Sequence, residues 1–187
     1  MALSYAAIEL QLREILLRHK PPSMLLASAK ATVPVLVLPD GSVIDESVQI
    51  MRWALTQRDP DHWWRSDLED RTQALVEEND FVFKAQLDRY KYADRYPQFP
   101  QSHYRAEAEK FLLHLEQRLE LHRYLLDGQL TFADVAVFPF IRQFALVDKP
   151  WFDRAAYPRL RAWLGWFLDS DLFADVMIKH PLWSEDS

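Results

Sequence analysis

The sequence contains no cysteine, which excludes disulfides, thiolate metal sites and a cysteine nucleophile among these residues. Glycine is almost as scarce, three in 187 residues, too few for the repeated tight turns of an all-β sandwich. Helices should therefore dominate. No apolar run approaches the roughly 18 to 20 residues of a membrane span, and the N-terminus MALSYAAIELQLRE lacks a basic leader and meets Glu9 and Arg13 early. A cytoplasmic protein with no membrane partner is the expectation. Charge runs of one sign are missing too: 22 basic residues are mixed among 28 acidic ones for a net charge of −6. No extended basic surface is available for a phosphate backbone, so nucleic acid is not an expected partner. The six histidines show no ligand spacing, and no metal site is expected.

What is present suits a packed protein. Hydrophobic residues make up 49% of the chain, with seven Trp, seven Tyr and eleven Phe, enough to fill a sizeable core. In the first twenty residues Ile8, Leu10 and Leu12 alternate with Glu9, Gln11 and Arg13 as in a half-buried strand, whereas Leu3, Ala7 and Leu10 are helically spaced. The expectation is a short helix over residues 1–6 and a strand over residues 8–16. Pro21-Pro22-Ser23 opens a short helix through Lys30, since proline is tolerated in a first turn. Val33 to Leu38 is a β-branched apolar run that reads as a strand covered on both faces. Pro39-Asp40-Gly41 signals a turn, and Ser42 to Asp45 returns as a shorter strand. Ser47 then reads as the cap of a helix whose Ile50, Met51, Ala54 and Leu55 form one apolar stripe.

After the polar stretch TQRDPDH the strand signals stop, which places a boundary between domains at residues 1–57 and 63–187. Helical periodicity runs from Trp63 to Tyr92, from Ser102 through Tyr124, and over residues 132–146, 158–169 and 171–178. LTFADVAVFPFIRQF is the best-specified segment: Thr131 caps the helix and Asp134 reaches back to the Thr131 amide, with Leu130 and Val135 placed as a hydrophobic staple.

Strand, short helix, Val-Pro hairpin, a helix beginning Glu-Ser, a polar linker and a helical half opening on Thr-Phe-Ala-Asp follow one another in an order that resembles the cytosolic glutathione S-transferase family. VPVL, DES and TFADVAVFP carry the resemblance, and it covers nearly the whole chain. It implies a thioredoxin-like N-terminal domain over residues 1–57 and an all-helical C-terminal domain over 63–187. In the family Pro34 would follow a cis bond, and the main chain of Val33 would pair with the cysteinyl backbone of glutathione. Glu46 and Ser47 match the acid-serine pair that holds the γ-glutamyl end, and Lys30 matches a partner of the glycyl carboxylate. The chemistry is reasonable, because free amides and the positive end of a helix favour a carboxylate while an acid can pair with an ammonium. A serine cap beside an acid that suits the helix dipole, and a solvated Lys30, are the plainer alternatives.

The resemblance departs at the front. In the family a strand and a loop bearing a reactive Tyr, Ser or Cys come first, and in the bacterial members most similar to this sequence the loop is a Cys-Pro motif. Residue 1 aligns within the first helix, so the first strand and catalytic loop, roughly 10–18 residues if a strand takes five or six, have no counterpart and the domain is expected to be N-terminally truncated. Ile8 to Leu16 should then pair with the Val33 strand or be displaced, leaving an edge that favours swapping or dimerisation. Ser4 and Tyr5 lie past that loop and suit a core or surface role, and the run from Arg89 to Tyr96 reads as a helix end or a second-substrate wall. Two functions follow. One is a transferase or thiol-disulfide exchange enzyme using glutathione with an electrophile or disulfide, as a homodimer, its reactive residue absent from these residues. The other is a non-catalytic glutathione S-transferase-like binding or assembly module.

Overall fold

Gly41, at φ 84°, closes the turn of a two-stranded antiparallel hairpin, β1 (Leu36–Val37) and β2 (Val43–Ile44), in which Leu36 faces Ile44 and Val37 faces Val43. Asp40 secures the turn by accepting from the amide and hydroxyl of Ser42 at 2.9 and 2.6 Å. The computed structural model describes residues 1–184. It separates into two units, Met1–Asp61 with the segment that begins at Asp171, and His62–Ser170.

In the first unit α1 (Ala2–Tyr5) packs on α3 (Ser47–Gln57). Ala2, Ala6 and Ala54 are buried at the contact, and Leu3, Ile8, Met51 and Trp53 close over it. Small residues let the two backbones approach, and Tyr5 secures the pair: its hydroxyl donates to Asp59 at 3.0 Å and accepts from the Asp61 amide at 2.8 Å. α2 (Pro22–Ala27) starts at the proline pair but stops before Lys30, because the chain leaves the helix at Ser28 in an extended conformation.

Three strand expectations are corrected. Residues 8–16 form no strand: Glu14 makes an isolated parallel bridge to Leu182, Leu16 an antiparallel one to His19, and the Glu14 carbonyl accepts from the Trp183 amide at 2.8 Å. Alternation produces a strand only where a neighbouring strand offers a continuous ladder, and here the C-terminal segment offers an isolated bridge at Leu182 instead of a ladder. Leu10 and Leu12 are consequently exposed. This stretch is displaced from β1, which is one of the two outcomes expected for it. The Val33–Leu38 run contributes only Leu36–Val37 to the sheet, and it is not covered on both faces, since Val33 and Val37 are 47% and 57% exposed.

In the second unit the expected helix from Trp63 to Tyr92 is broken. A 3₁₀ turn at Ser66–Leu68 leads into α4 (Glu69–Glu77), a π-helical stretch at Glu78–Phe83 and α5 (Lys84–Lys91). These pack on α6 (Gln101–Leu121) and α7 (Phe132–Val147), and after the short α8 (Lys149–Phe152), α9 (Pro158–Leu168) packs on α6 and α7 in turn. Helix α10 (Asp171–Val176) returns to the first unit and touches α1.

Two buried carboxylates organise the bundle. Asp134 is 0% exposed and takes four hydrogen bonds, from the Thr131 amide and hydroxyl, the Leu125 amide and the Trp163 indole. The capping box read from the sequence is thus present, extended to a second helix and a loop. Burial pushes the Asp134 carboxyl up from its ordinary range, and the four donors oppose that shift. Glu116 of α6 accepts from the amides of Arg159 and Leu160 at 3.0 and 2.8 Å, neutralising the N-terminal end of α9. Among the described residues no helix is long and apolar enough to cross a membrane.

Candidate functional site

The residues singled out in the sequence fall on the hairpin and at the start of α3. Val33 and Pro34 precede β1, joined by a cis peptide bond, and both are exposed. Among the described residues neither backbone group of Val33 has a hydrogen-bond partner. At such an exposed position an unpaired N–H and C=O are open to a peptide-like ligand.

Ser47 is not the cap that the sequence suggested. Glu46 occupies the cap position with extended φ and ψ, Ser47 is the first helical residue, and neither side chain caps the helix. The reason is a competing cation: Glu46 turns to Lys30, whose Nζ lies 2.6 Å from its Oε1. The first backbone bond of α3 runs from the Ile50 amide to the Glu46 carbonyl. The amides of Ser47, Val48 and Gln49 therefore open the helix without an intrahelical acceptor. The Ser47 hydroxyl, exposed, has no partner among the described residues.

Lys30 meets two carboxylates, Glu46 and, at 3.1 Å, Asp45 Oδ1. Asp45 is held on its other side by the hydroxyl of buried Ser28 at 2.7 Å. The Ser28 hydroxyl, then Lys30, holds the Asp45 carboxyl below the usual range, and the hydrogen bonds to Glu46 and Asp45 raise the Lys30 ammonium above its own. Ala31, at φ 51°, takes the left-handed conformation immediately after the lysine and turns the chain toward β1. Beside the cluster lies an open depression of about 570 Å³, walled by Lys30, Asp45, Glu46, Gln49, Trp53 and Thr56.

Sequence reasoning missed Asp45, Ser28 and Gln49. Gln49, Trp53 and Thr56 follow Glu46 at steps of three and four residues, a periodicity that places them on one helix face. Ser28 carried no such signal. Ser4 and Tyr5 are not near-equivalents of a reactive hydroxyl. Ser4 is exposed on α1, while Tyr5 is committed to Asp59 and Asp61, and burial raises its phenol above the ordinary value. Among the described residues no group of three or more His, Asp or Glu side chains is placed to hold a metal ion.

The family model described as "Glutathione S-transferase, N-terminal domain" matches residues 1–57, and that described as "Glutathione S-transferase, C-terminal domain" matches residues 73–165. The chain belongs to the glutathione S-transferase family. Solved structures show the same fold. BphK, a bacterial GST in a ternary complex, is 21% identical with a TM-score of 0.79, covering 94% of this chain and 90% of its own. URE2P6, a glutathione transferase from Phanerochaete chrysosporium in complex with oxidized glutathione, is 17% identical with a TM-score of 0.79, over 94% and 86%. A glutathione S-transferase from Methylobacillus flagellatus KT with GSH bound is 18% identical with a TM-score of 0.73, over 93% and 89%. No curated protein sequence matches the chain. Within this family, hairpin, cis Val33–Pro34 and the start of α3 are the elements on which the present residues offer unpaired donors and acceptors.

Proposed function

We propose that this member of the family binds glutathione along the hairpin and the N-terminal turn of α3, as the substrate of transfer to an electrophile or of thiol-disulfide exchange. The observation that carries the reading is the open first turn of α3 with an unengaged Ser47 hydroxyl beside the acidic Glu46. The γ-glutamyl carboxylate would accept from those amides and from Ser47, and its ammonium would pair with Glu46 in competition with Lys30. The cysteinyl backbone would take the free groups of Val33 next to Pro34, which leaves the glycyl carboxylate for Lys30 once the lysine is released from Glu46. Glutathione bound to structures of the same fold supports glutathione as the ligand. An electrophile or disulfide as second substrate, a cytoplasmic location and a homodimer belong to the same proposal and rest on the family likeness.

Isothermal titration of reduced glutathione tests it. The parent chain should bind, and Ser47→Ala and Glu46→Gln should each weaken binding about 5- to 30-fold, the loss of one charge-assisted hydrogen bond of about 1–2 kcal/mol. Absence of binding by the parent, or affinities unchanged in both variants, overturns the reading. The second reading, a binding module without catalysis, draws on one observation, that the Tyr5 hydroxyl is already engaged with Asp59 and the Asp61 amide. Turnover of glutathione with an electrophilic nitroaryl halide above the uncatalysed rate decides against the module.

A further inference from the structure

Among the described residues 21 large apolar side chains stand exposed, and 13 of them belong to the first unit although it is the smaller of the two. Ten of those 13 fall in two stretches, residues 15–39 and 176–184, that contain neither Asp nor Glu in a chain with 28 acids. Exposed apolar surface gathers where negative charge is missing. The fold brings part of one stretch beside part of the other. Leu16 and His19 form an antiparallel bridge, with the His19 amide donating to the Leu16 carbonyl at 2.8 Å, so Leu17 and Arg18 stand at the tip of a two-residue turn. Two residues before that turn Glu14 bridges Leu182, and its carbonyl accepts from the Trp183 amide at 2.8 Å. The Arg13 guanidinium lies over the Trp183 ring, its Cζ 4.6 Å from the centroid. The C-terminal segment is thereby held next to the turn.

Leu17, Ile178 and Leu182 are 62%, 60% and 56% exposed. Arg18, Lys20 and Lys179 stand among them in the sequence and reach no carboxylate among the described residues, whereas Lys30 of the same unit reaches two. The acids that flank the two stretches nearest this turn are Glu14 and Asp175, with Glu185 and Asp186 past the described residues. A turn tip is convex and gives a protein partner little to enclose. A lipid surface makes no such demand of shape. Projecting apolar side chains with unpaired cations between them suit the boundary between headgroups and acyl chains of an anionic bilayer, and Trp183 is an amphipathic ring of the kind that settles there. No apolar run is long enough to span a bilayer, so the contact is peripheral.

We propose that the Leu17–Arg18 turn and the segment from Val176 to Trp183 form a docking surface for an anionic lipid bilayer. Leu17, Ile178 and Leu182 enter the headgroup region, and Arg18, Lys20 and Lys179 pair with the lipid phosphates and carboxylates. The surface uses none of the groups assigned to glutathione, so the two readings stand or fall independently.

Flotation of the full chain with unilamellar vesicles tests the surface, comparing phosphatidylcholine alone with phosphatidylcholine containing about 30% phosphatidylserine. At about 0.1 M salt the anionic vesicles should carry the protein and the neutral ones bind it at least tenfold more weakly, and raising the salt to about 1 M should release it. One cation near an anionic leaflet strengthens binding about fivefold, so Arg18→Gln/Lys20→Gln/Lys179→Gln should lose at least tenfold. Leu17→Ser/Leu182→Ser should lose about tenfold through the apolar contact. Removing three exposed cations of the helical unit, Lys84→Gln/Arg89→Gln/Lys110→Gln, should change nothing. The substituted side chains are exposed or half-buried, so folded variants are expected, and circular dichroism melts check this. The lipid and salt comparisons need no variant. Failure to float with anionic vesicles, equal binding to neutral ones, or equal losses in the two triple variants overturns the proposal. So does self-association in sedimentation velocity that the double serine variant abolishes while the parent fails to float, which gives the surface to a second copy of the chain.

Discussion

Asp134→Ala isolates the contribution of a single buried acceptor to the helical unit. Asp134 Oδ1 accepts from the Leu125 amide at 2.8 Å and the Trp163 indole at 2.9 Å, and Oδ2 from the Thr131 amide at 3.0 Å and hydroxyl at 2.7 Å. Alanine strands two amides and an indole N–H in a site without solvent, while the hydroxyl can rotate away. Each stranded donor costs about 1–3 kcal/mol. Against this, removing the carboxylate also removes its own cost of burial, the effect that pushes its pKa up. The net loss expected is about 3–5 kcal/mol, a large share of the roughly 5–15 kcal/mol of a typical domain. Asparagine separates geometry from charge. It preserves an oxygen for Leu125 and Trp163 and sets its NH₂ against the Thr131 amide, so it should cost about 1–3 kcal/mol. Urea unfolding read by far-ultraviolet circular dichroism gives both values if the slope stays constant. A loss under about 1 kcal/mol for alanine, or equal losses for alanine and asparagine, refutes the acceptor argument.

Tyr5→Phe removes the hydroxyl that links α1 to Asp59 and Asp61, and should cost about 0.5–1.5 kcal/mol in the same assay without changing glutathione affinity. A drop in turnover with stability intact would instead assign Tyr5 a catalytic hydroxyl. The Asp45 carboxyl is depressed by Ser28 and Lys30. The stabilisation it brings is therefore present above its ordinary value of 3.8 and lost as pH falls through the depressed folded one. Ser28→Ala removes the largest cause, so nuclear magnetic resonance titration of Asp45 should move toward 3.8. An unmoved titration curve contradicts the assigned cause.

Local chemistry was legible wherever it was self-contained. Pro39-Asp40-Gly41 needs only its own φ preferences to turn, and Thr131 with Asp134 carries both halves of a cap within four residues, so turn and cap appear where the sequence puts them. The 8–16 alternation depends on a partner the local sequence cannot specify, and beyond the local Leu16–His19 bridge it met single points at Leu182 and Trp183, far along the chain. The break of the Trp63–Tyr92 helix had no proline or glycine to announce it between Glu69 and Lys91. A π-helical insertion changes which face each later residue presents without any change in helix propensity.

At the candidate site the same distinction decides how far residue types could lead. An acid and a serine at a helix start are equally good as a cap and as ligand groups, so their identity alone is silent. What separates the two roles is Lys30, sixteen residues upstream of Glu46. By drawing Glu46 toward the hairpin it leaves α3 uncapped, with Ser47 unengaged, and free first-turn amides are an unmet demand for an anion. Were Glu46 or Ser47 to cap α3 themselves, the same sequence motif would be structurally satisfied and a ligand carboxylate would have to displace it. The reading of this site therefore turns on an ion pair across the end of α2 and the start of α3, a long-range contact that spacing in the sequence did not encode.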